Sequence, residues 1–121
     1  MRNFRKYQVW ELGHQITLDI YKFTDSFPKS EQYSLTSQMR RASSSIPANI
    51  AEGCGRDSDA EFRRFLLIAN GSATELEYFL ILSKDLDLVK DDKFDDLVNK
   101  VDILKRSLNK LISKISKANG K

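Results

Sequence analysis

Apolar residues recur at helical spacing from one end of the chain to the other. Val9, Leu12, Gly13, Ile16, Ile20, Phe23 and Phe27 form one stripe, closed by Phe27-Pro28 because proline disfavours a helical residue before it. Gly13 lowers helix propensity in the middle of that stripe, so close approach of a neighbouring helix is expected there. A second helix is predicted from about Glu31 to about Glu52, with Leu35, Met39, Ala42, Ile46 and Asn49 or Ile50 inward. Pro47 interrupts it, removing one backbone donor and crowding the carbonyl of Ser43, four residues back. The hydroxyls of Ser43, Ser44 and Ser45 stand where they could compensate that kink. Gly53-Cys54-Gly55 reads as the exit.

The third helix opens on Ser58-Asp59-Ala60-Glu61, a capping-box pattern in which Glu61 reaches back to the cap. Its stripe is Phe62, Phe65, Leu66, Ala69, Ala73, Leu76 and Leu80, with Ala69, Gly71, Ser72 and Ala73 as a thin waist for tight crossing, and it should stop near Leu86-Asp87-Leu88. Asp91 or Asp92 caps the fourth helix. There Leu97, Val101, Leu104, Leu108, Leu111 and Ile115 alternate steps of four and three, a heptad seam. Four amphipathic segments with short connections predict one all-α domain over residues 1–121, an antiparallel up-down four-helix bundle. Leu67, Ile68, Phe79, Ile81, Leu82, Val98, Ile103 and Ile112 lie off the main stripes. They belong either to a wide core or to a subunit interface.

Composition narrows the function more than the fold. Hydrophobic residues make up 40% and charged residues 31% of 121 residues, a globular composition with no excess of turn residues for an all-β fold. No uninterrupted run approaches the ~20 apolar residues of a membrane span. The charged start carries no signal-peptide pattern, so a cytoplasmic location is expected. Cys54 is the single cysteine, which excludes an internal disulfide and any cysteine metal motif. His14 has no partner histidine, the serine triplet has no adjacent base, and Gly53-Cys54-Gly55-Arg56 lacks the lysine and hydroxyl ending of a phosphate loop. Neither catalysis nor a cofactor nor a metal is expected.

The net charge of +3 is unevenly spread. From Leu97 onward seven basic residues (Lys100, Lys105, Arg106, Lys110, Lys114, Lys117 and Lys121) face one acid, Asp102. Two cationic groups are candidate phosphate contacts. Arg40, Arg41, Arg56, Arg63 and Arg64 flank the exit of the second helix and the start of the third, where guanidinium forks suit phosphate. Arg106, Lys110, Lys114, Lys117 and Lys121 fall in one line along the fourth helix. The competing reading makes the first group ion pairs, inside the protomer or across subunits, chiefly at Arg41 and Arg63, the latter four residues after Asp59, and makes the second a solvated face. Asn49 and Glu52 are expected to bond to backbone near the kink or to an arginine. Tyr7 and Trp10 fit packing at the bundle end better than base stacking.

The run Arg40-Arg41-Ala42-Ser43-Ser44-Ser45-Ile46-Pro47-Ala48-Asn49-Ile50-Ala51-Glu52-Gly53-Cys54-Gly55-Arg56 resembles a known signature. So do Glu61-Phe62-Arg63-Arg64-Phe65, Ala69 through Glu77, Val9-Trp10-Glu11-Leu12, Ile20-Tyr21 and Phe27-Pro28-Lys29-Ser30-Glu31. Together they resemble the bacterial four-helix-bundle proteins encoded in 23S rRNA intervening sequences, over nearly the whole chain. Cys54 departs from the resemblance, standing where that family commonly has an aromatic. The family is similar to the accessory variability protein of diversity-generating retroelements, a basic pentameric barrel that associates with a reverse transcriptase and binds nucleic acid. The resemblance therefore implies a homopentamer of four-helix protomers with RNA, DNA or a reverse transcriptase as partner. Function is accordingly expected to be non-enzymatic nucleic-acid binding or, alternatively, a scaffold that docks a partner enzyme.

Overall fold

A computed structural model describes residues 2–31 and 34–118, the last two by backbone alone. Among the described residues the chain forms four α-helices, two short 3-10 turns (Phe4–Lys6 and Lys29–Glu31) and no strand. The helices are α1 (Gln8–Thr24), α2 (Leu35–Cys54), α3 (Asp59–Asp85) and α4 (Asp91–Ala118). Each packs on its neighbours in sequence, α4 returns to α1, and the diagonal pairs stay apart, which is the up-down square. The α2–α3 contact is the most extensive and the α1–α4 seam the loosest.

The α1–α2 contact is built around the proline. Gly13 lies so near α2 that a Cβ there would sit 2.9 Å from Ile46 Cγ2 and 3.4 Å from Pro47 Cδ. The Ser43 carbonyl that Pro47 leaves without an amide donor is met from another helix: Thr17 Oγ1 lies 2.9 Å from it and 2.8 Å from the Gly13 carbonyl, its one hydrogen shared between them. The serine triplet does not repair the kink. Ser43 and Ser44 donate to the carbonyls of Arg40 and Arg41, one turn back, and Ser45 bonds Ser72 across to α3. Asn49 binds at the kink as expected, its Nδ2 donating to the Ser45 carbonyl at 2.8 Å.

Two boundaries differ from expectation. α2 begins at Leu35 rather than near Glu31, because Lys29–Glu31 forms its own 3-10 turn. At α3 only half of the capping box forms: Ser58 Oγ accepts from the Glu61 amide at 3.1 Å, while the Glu61 carboxylate turns to Arg64. The far end of α3 closes as expected at Leu86, with Asp87 at φ 61°. Its amide donates to Lys84 and that of Leu88 to Ser83, which satisfies two terminal carbonyls. Asp91 and Asp92 both fall in the first turn of α4, at its positive end.

The off-stripe residues divide. Ile112 is core, and Phe79, Leu82 and Val98 are half-buried against it, whereas Leu67, Ile68, Ile81 and Ile103 are exposed. The seam of α4 reads Leu97, Val101, Leu104, Leu108, Ile112, Ile115, with Leu111 only half-buried. A straight helix drifts ~20° per heptad against a strict seven-residue repeat, which brings Ile112 inward and turns Leu111 toward α1. Gly71 is no part of a crossing: nothing lies within 4 Å of the position its Cβ would take, and it sits on the exposed face of α3 with Leu67, Ile68, Tyr78 and Ile81. By length and composition α3 is apolar enough to cross a membrane, despite the lack of an uninterrupted run, but Phe62, Leu66, Leu76 and Leu80 place its inner face in the core.

Candidate nucleic-acid interface

The five arginines near the α2–α3 turn do not form one cluster. Arg40 stands near the start of α2 and Arg56 beyond its end, about 24 Å apart along the axis. Arg40 closes the end of α1: its Nε donates to Thr24 Oγ1 at 2.9 Å, one terminal nitrogen reaches Asp25 at 2.9 Å and the Tyr21 carbonyl at 3.2 Å, and its plane covers the Tyr21 ring. Arg56 pairs with Glu52 at 2.8 Å and Arg64 with Glu61 at 3.1 Å, and both lie over the Phe65 ring. The hydrogen bond to Arg64 holds the Glu61 carboxyl below the usual carboxylate range, and Glu61 in turn raises the Arg64 guanidinium.

Arg41 and Arg63, where carboxylate pairing was chiefly expected, have none among the described residues. Arg41 is exposed on α2. Arg63 Nε donates to Ser116 Oγ at 2.5 Å, tying α3 to the end of α4, and Asp59, its expected partner, pairs with Arg2 instead. Arg2 also donates to the Arg56 carbonyl at 3.0 Å and covers Phe62, so the start of the chain clamps the α2–α3 turn. Burial pushes the Cys54 thiol above its ordinary range, and the charge of Arg2 pulls weakly the other way.

Along α4 the line of cations is also uneven. Arg106 is neutralised by Asp102 at 2.6 Å. Lys105 pairs with Glu77, and Lys100 bridges Asp19 at 2.8 Å and Asp96 at 3.3 Å, with the Asp19 hydrogen bond raising the ammonium above the ordinary lysine range. Lys110 and Lys114 are exposed and form no ion pair among the described residues. The side chains of Lys117 and Lys121 lie outside the described residues.

Lys110 and Lys114 line a cavity of about 280 Å³ in the α1–α4 seam, together with Ser107 and the inward-turned Leu111. Its opposite wall is Tyr7, Gln8 and Val9 at the start of α1. The Tyr7 ring is held edge-on to Phe62, 5.6 Å between centroids, and Trp10 stacks on His14 at 5.1 Å, so both aromatics pack at the bundle end. Gln8 and Ser107 went unnoticed as lining residues because about a hundred positions separate the two walls, and Tyr7 was assigned to packing rather than to base stacking. The only sequence signal was Leu111, whose place shifts when the seam is counted at 3.6 residues per turn. A second cavity of about 290 Å³ lies farther along the seam between Leu12, Gln15, Asp19, Lys100 and Ile103. No group of three or more His, Cys, Asp or Glu able to hold a metal ion occurs among the described residues.

The family model for 23S rRNA-intervening sequence proteins matches residues 5–110. No curated protein matches the chain. Among solved structures, a protein of unknown function from the S23 ribosomal protein family of Bacteroides thetaiotaomicron superposes with a TM-score of 0.80 at 24% identity, covering 87% of this chain and 95% of that one. That similarity is one of fold.

Proposed function

The chain belongs to the 23S rRNA-intervening sequence protein family, and from that premise we propose that it acts by binding nucleic acid through phosphate contacts, as an oligomer and without catalysis. The observation that carries this reading is the selective neutralisation of its cations. Arg40, Arg56, Arg64 and Arg106 are engaged with carboxylates, whereas Arg41, Lys110 and Lys114 face solvent without one among the described residues. An exposed ion pair contributes little attraction for a third charge, so the uncompensated cations and Arg63 carry the phosphate contacts. A protomer of charge +3 produces a weak field, and symmetric repetition multiplies it.

The outer face of α3 supports the assembly. Leu67, Ile68, Tyr78 and Ile81 are each at least 40% exposed and, with Gly71, make an apolar stripe of the kind that packs against another subunit. A homopentamer is the form the family resemblance suggests. Light scattering at micromolar concentration tests it: a mass above one protomer that reverts to one in Leu67→Lys/Ile81→Lys supports the assembly, and a monomeric mass for the native chain rejects it.

Binding is tested by titrating structured RNA and duplex DNA from 50 to 200 mM salt. The affinity should fall with a log–log slope of roughly 0.7–0.9 per phosphate engaged. No binding of either at 50 mM rejects the reading. The same apolar stripe also suits a scaffold that docks a partner enzyme such as a reverse transcriptase. Recovery of one such protein after nuclease treatment would favour that second reading.

A further inference from the structure

From the shape and charge of the α1–α4 seam we infer that it is a single-strand site, taking one unstacked nucleotide with its phosphate at Lys110 and Lys114 and its base against Leu111 and the Tyr7 ring. The inference rests on the nucleic-acid reading above and names the form of nucleic acid that the site selects.

Three observations converge on it. The first is charge. Lys110 and Lys114 are successive turns of one helix face, and like charges at that spacing repel each other. The negative end of α4 favours a cation near Lys114 but fades within one turn, leaving Lys110 without that support. Two adjacent ammonium groups without a carboxylate are a receptor for a phosphate diester.

The second is the lining. Here the cations rim a concavity lined also by Leu111 and Tyr7 and by the polar residues Gln8 and Ser107. An apolar wall with a few hydrogen-bonding groups beside a phosphate site is what an unstacked base requires. The bases of a duplex are stacked inside it and cannot enter a cleft between two helices.

The third is size and extent. About 280 Å³ falls just below the roughly 300–1,000 Å³ of small-ligand sites, so there is room for no more than one nucleotide. Farther along the seam, about 18 Å from Tyr7 at the helical rise, Asp19 and Asp96 already neutralise Lys100. The second cavity therefore offers no phosphate contact, and the strand enters and leaves at the Tyr7 end.

The test compares a twelve-residue oligouridylate with an RNA duplex of equal strand length, using the full chain at 50 mM salt. The single strand is expected to bind at least tenfold tighter. Lys110→Ala/Lys114→Ala should lower single-strand affinity about tenfold and its salt slope by roughly 1.4, two contacts at 0.7 each, with a smaller loss for the duplex, which keeps its contacts elsewhere. A 5-bromouracil in the oligomer should photocrosslink to peptides containing Tyr7–Val9 or Ser107–Lys114. Equal affinity for both forms, an equal loss of both in the double variant, or crosslinks confined to α2 and α3 overturns the single-strand site while leaving the general reading intact. Absence of binding by either nucleic acid overturns the general reading and this site with it.

Discussion

The hydroxyl of Thr17 on α1 sits 2.9 Å from the carbonyl of Ser43 on α2, the carbonyl that Pro47 deprives of its amide partner. A defect in one helix is thereby completed by a side chain of another, and the kink becomes a point of registration between them. The glycine one turn before Thr17 lets the two backbones come close enough for that bond, since a Cβ at Gly13 would meet Ile46 and the proline ring.

Thr17→Val keeps the shape of the side chain and removes the donor. The buried Ser43 carbonyl is then unsatisfied, and the variant should lose about 1–3 kcal/mol by urea unfolding. In a Pro47→Ala background the amide of residue 47 returns as donor, so the same Thr17→Val change should cost less than half as much. Equal costs in both backgrounds would show that Thr17 acts on something other than the kink.

Glycine substitutions at two helical sites should have opposite signs. Gly13→Ala gains helix propensity of roughly 1 kcal/mol but drives a methyl to 2.9 Å from Ile46 Cγ2, beside a rigid proline ring, and overpacking should leave a net loss of about 1–3 kcal/mol. Gly71→Ala meets open space and should stabilise by up to about 1 kcal/mol. Thermal unfolding of both variants at one protein concentration checks the contrast.

Arg40 and Arg41 are neighbours with separate roles. Arg40→Met removes charged hydrogen bonds at the end of α1 and should destabilise by about 1–2 kcal/mol with nucleic-acid affinity unchanged. Arg41→Met should leave the unfolding midpoint where it is and weaken binding at low salt. The reverse pattern would mean that the ion pair of Arg40 opens on binding.

Cys54 supplies the pH dependence. Burial raises its thiol in the folded chain, so its contribution to stability is complete below the unfolded thiol's pKa of about 8.5 and declines as pH rises from there through the folded value. Stability of the native chain should therefore fall more steeply above pH 8.5 than that of Cys54→Ala. A disulfide reagent at pH 8 should modify the thiol only as fast as the chain opens. Rapid modification without unfolding would mean that local opening at the α2–α3 turn exposes it.

Helix number, order and inner faces were readable from the chain because burial imposes a 3.6-residue period that needs no knowledge of the neighbour. The close approach at Gly13 and the stop at Leu86–Leu88 were readable for the same local reason. The kink repair was not, since a hydroxyl on another helix is indistinguishable in sequence from the three serines beside Pro47. Nor was the division of the arginines. Spacing alone favoured Asp59 for Arg63, but Asp59 is taken by Arg2 from the start of the chain, and Arg63 turns to Ser116.

Local periodicity was thus sufficient for an all-α bundle with cations concentrated on α4 and around the α2–α3 turn. Which cations stay unneutralised, and that Lys110 and Lys114 share a cavity with Tyr7 and Gln8, depended on how the first helix closes against the last. Charge pairing and concavity are properties of distances between segments, and those distances exist only after all four helices have packed.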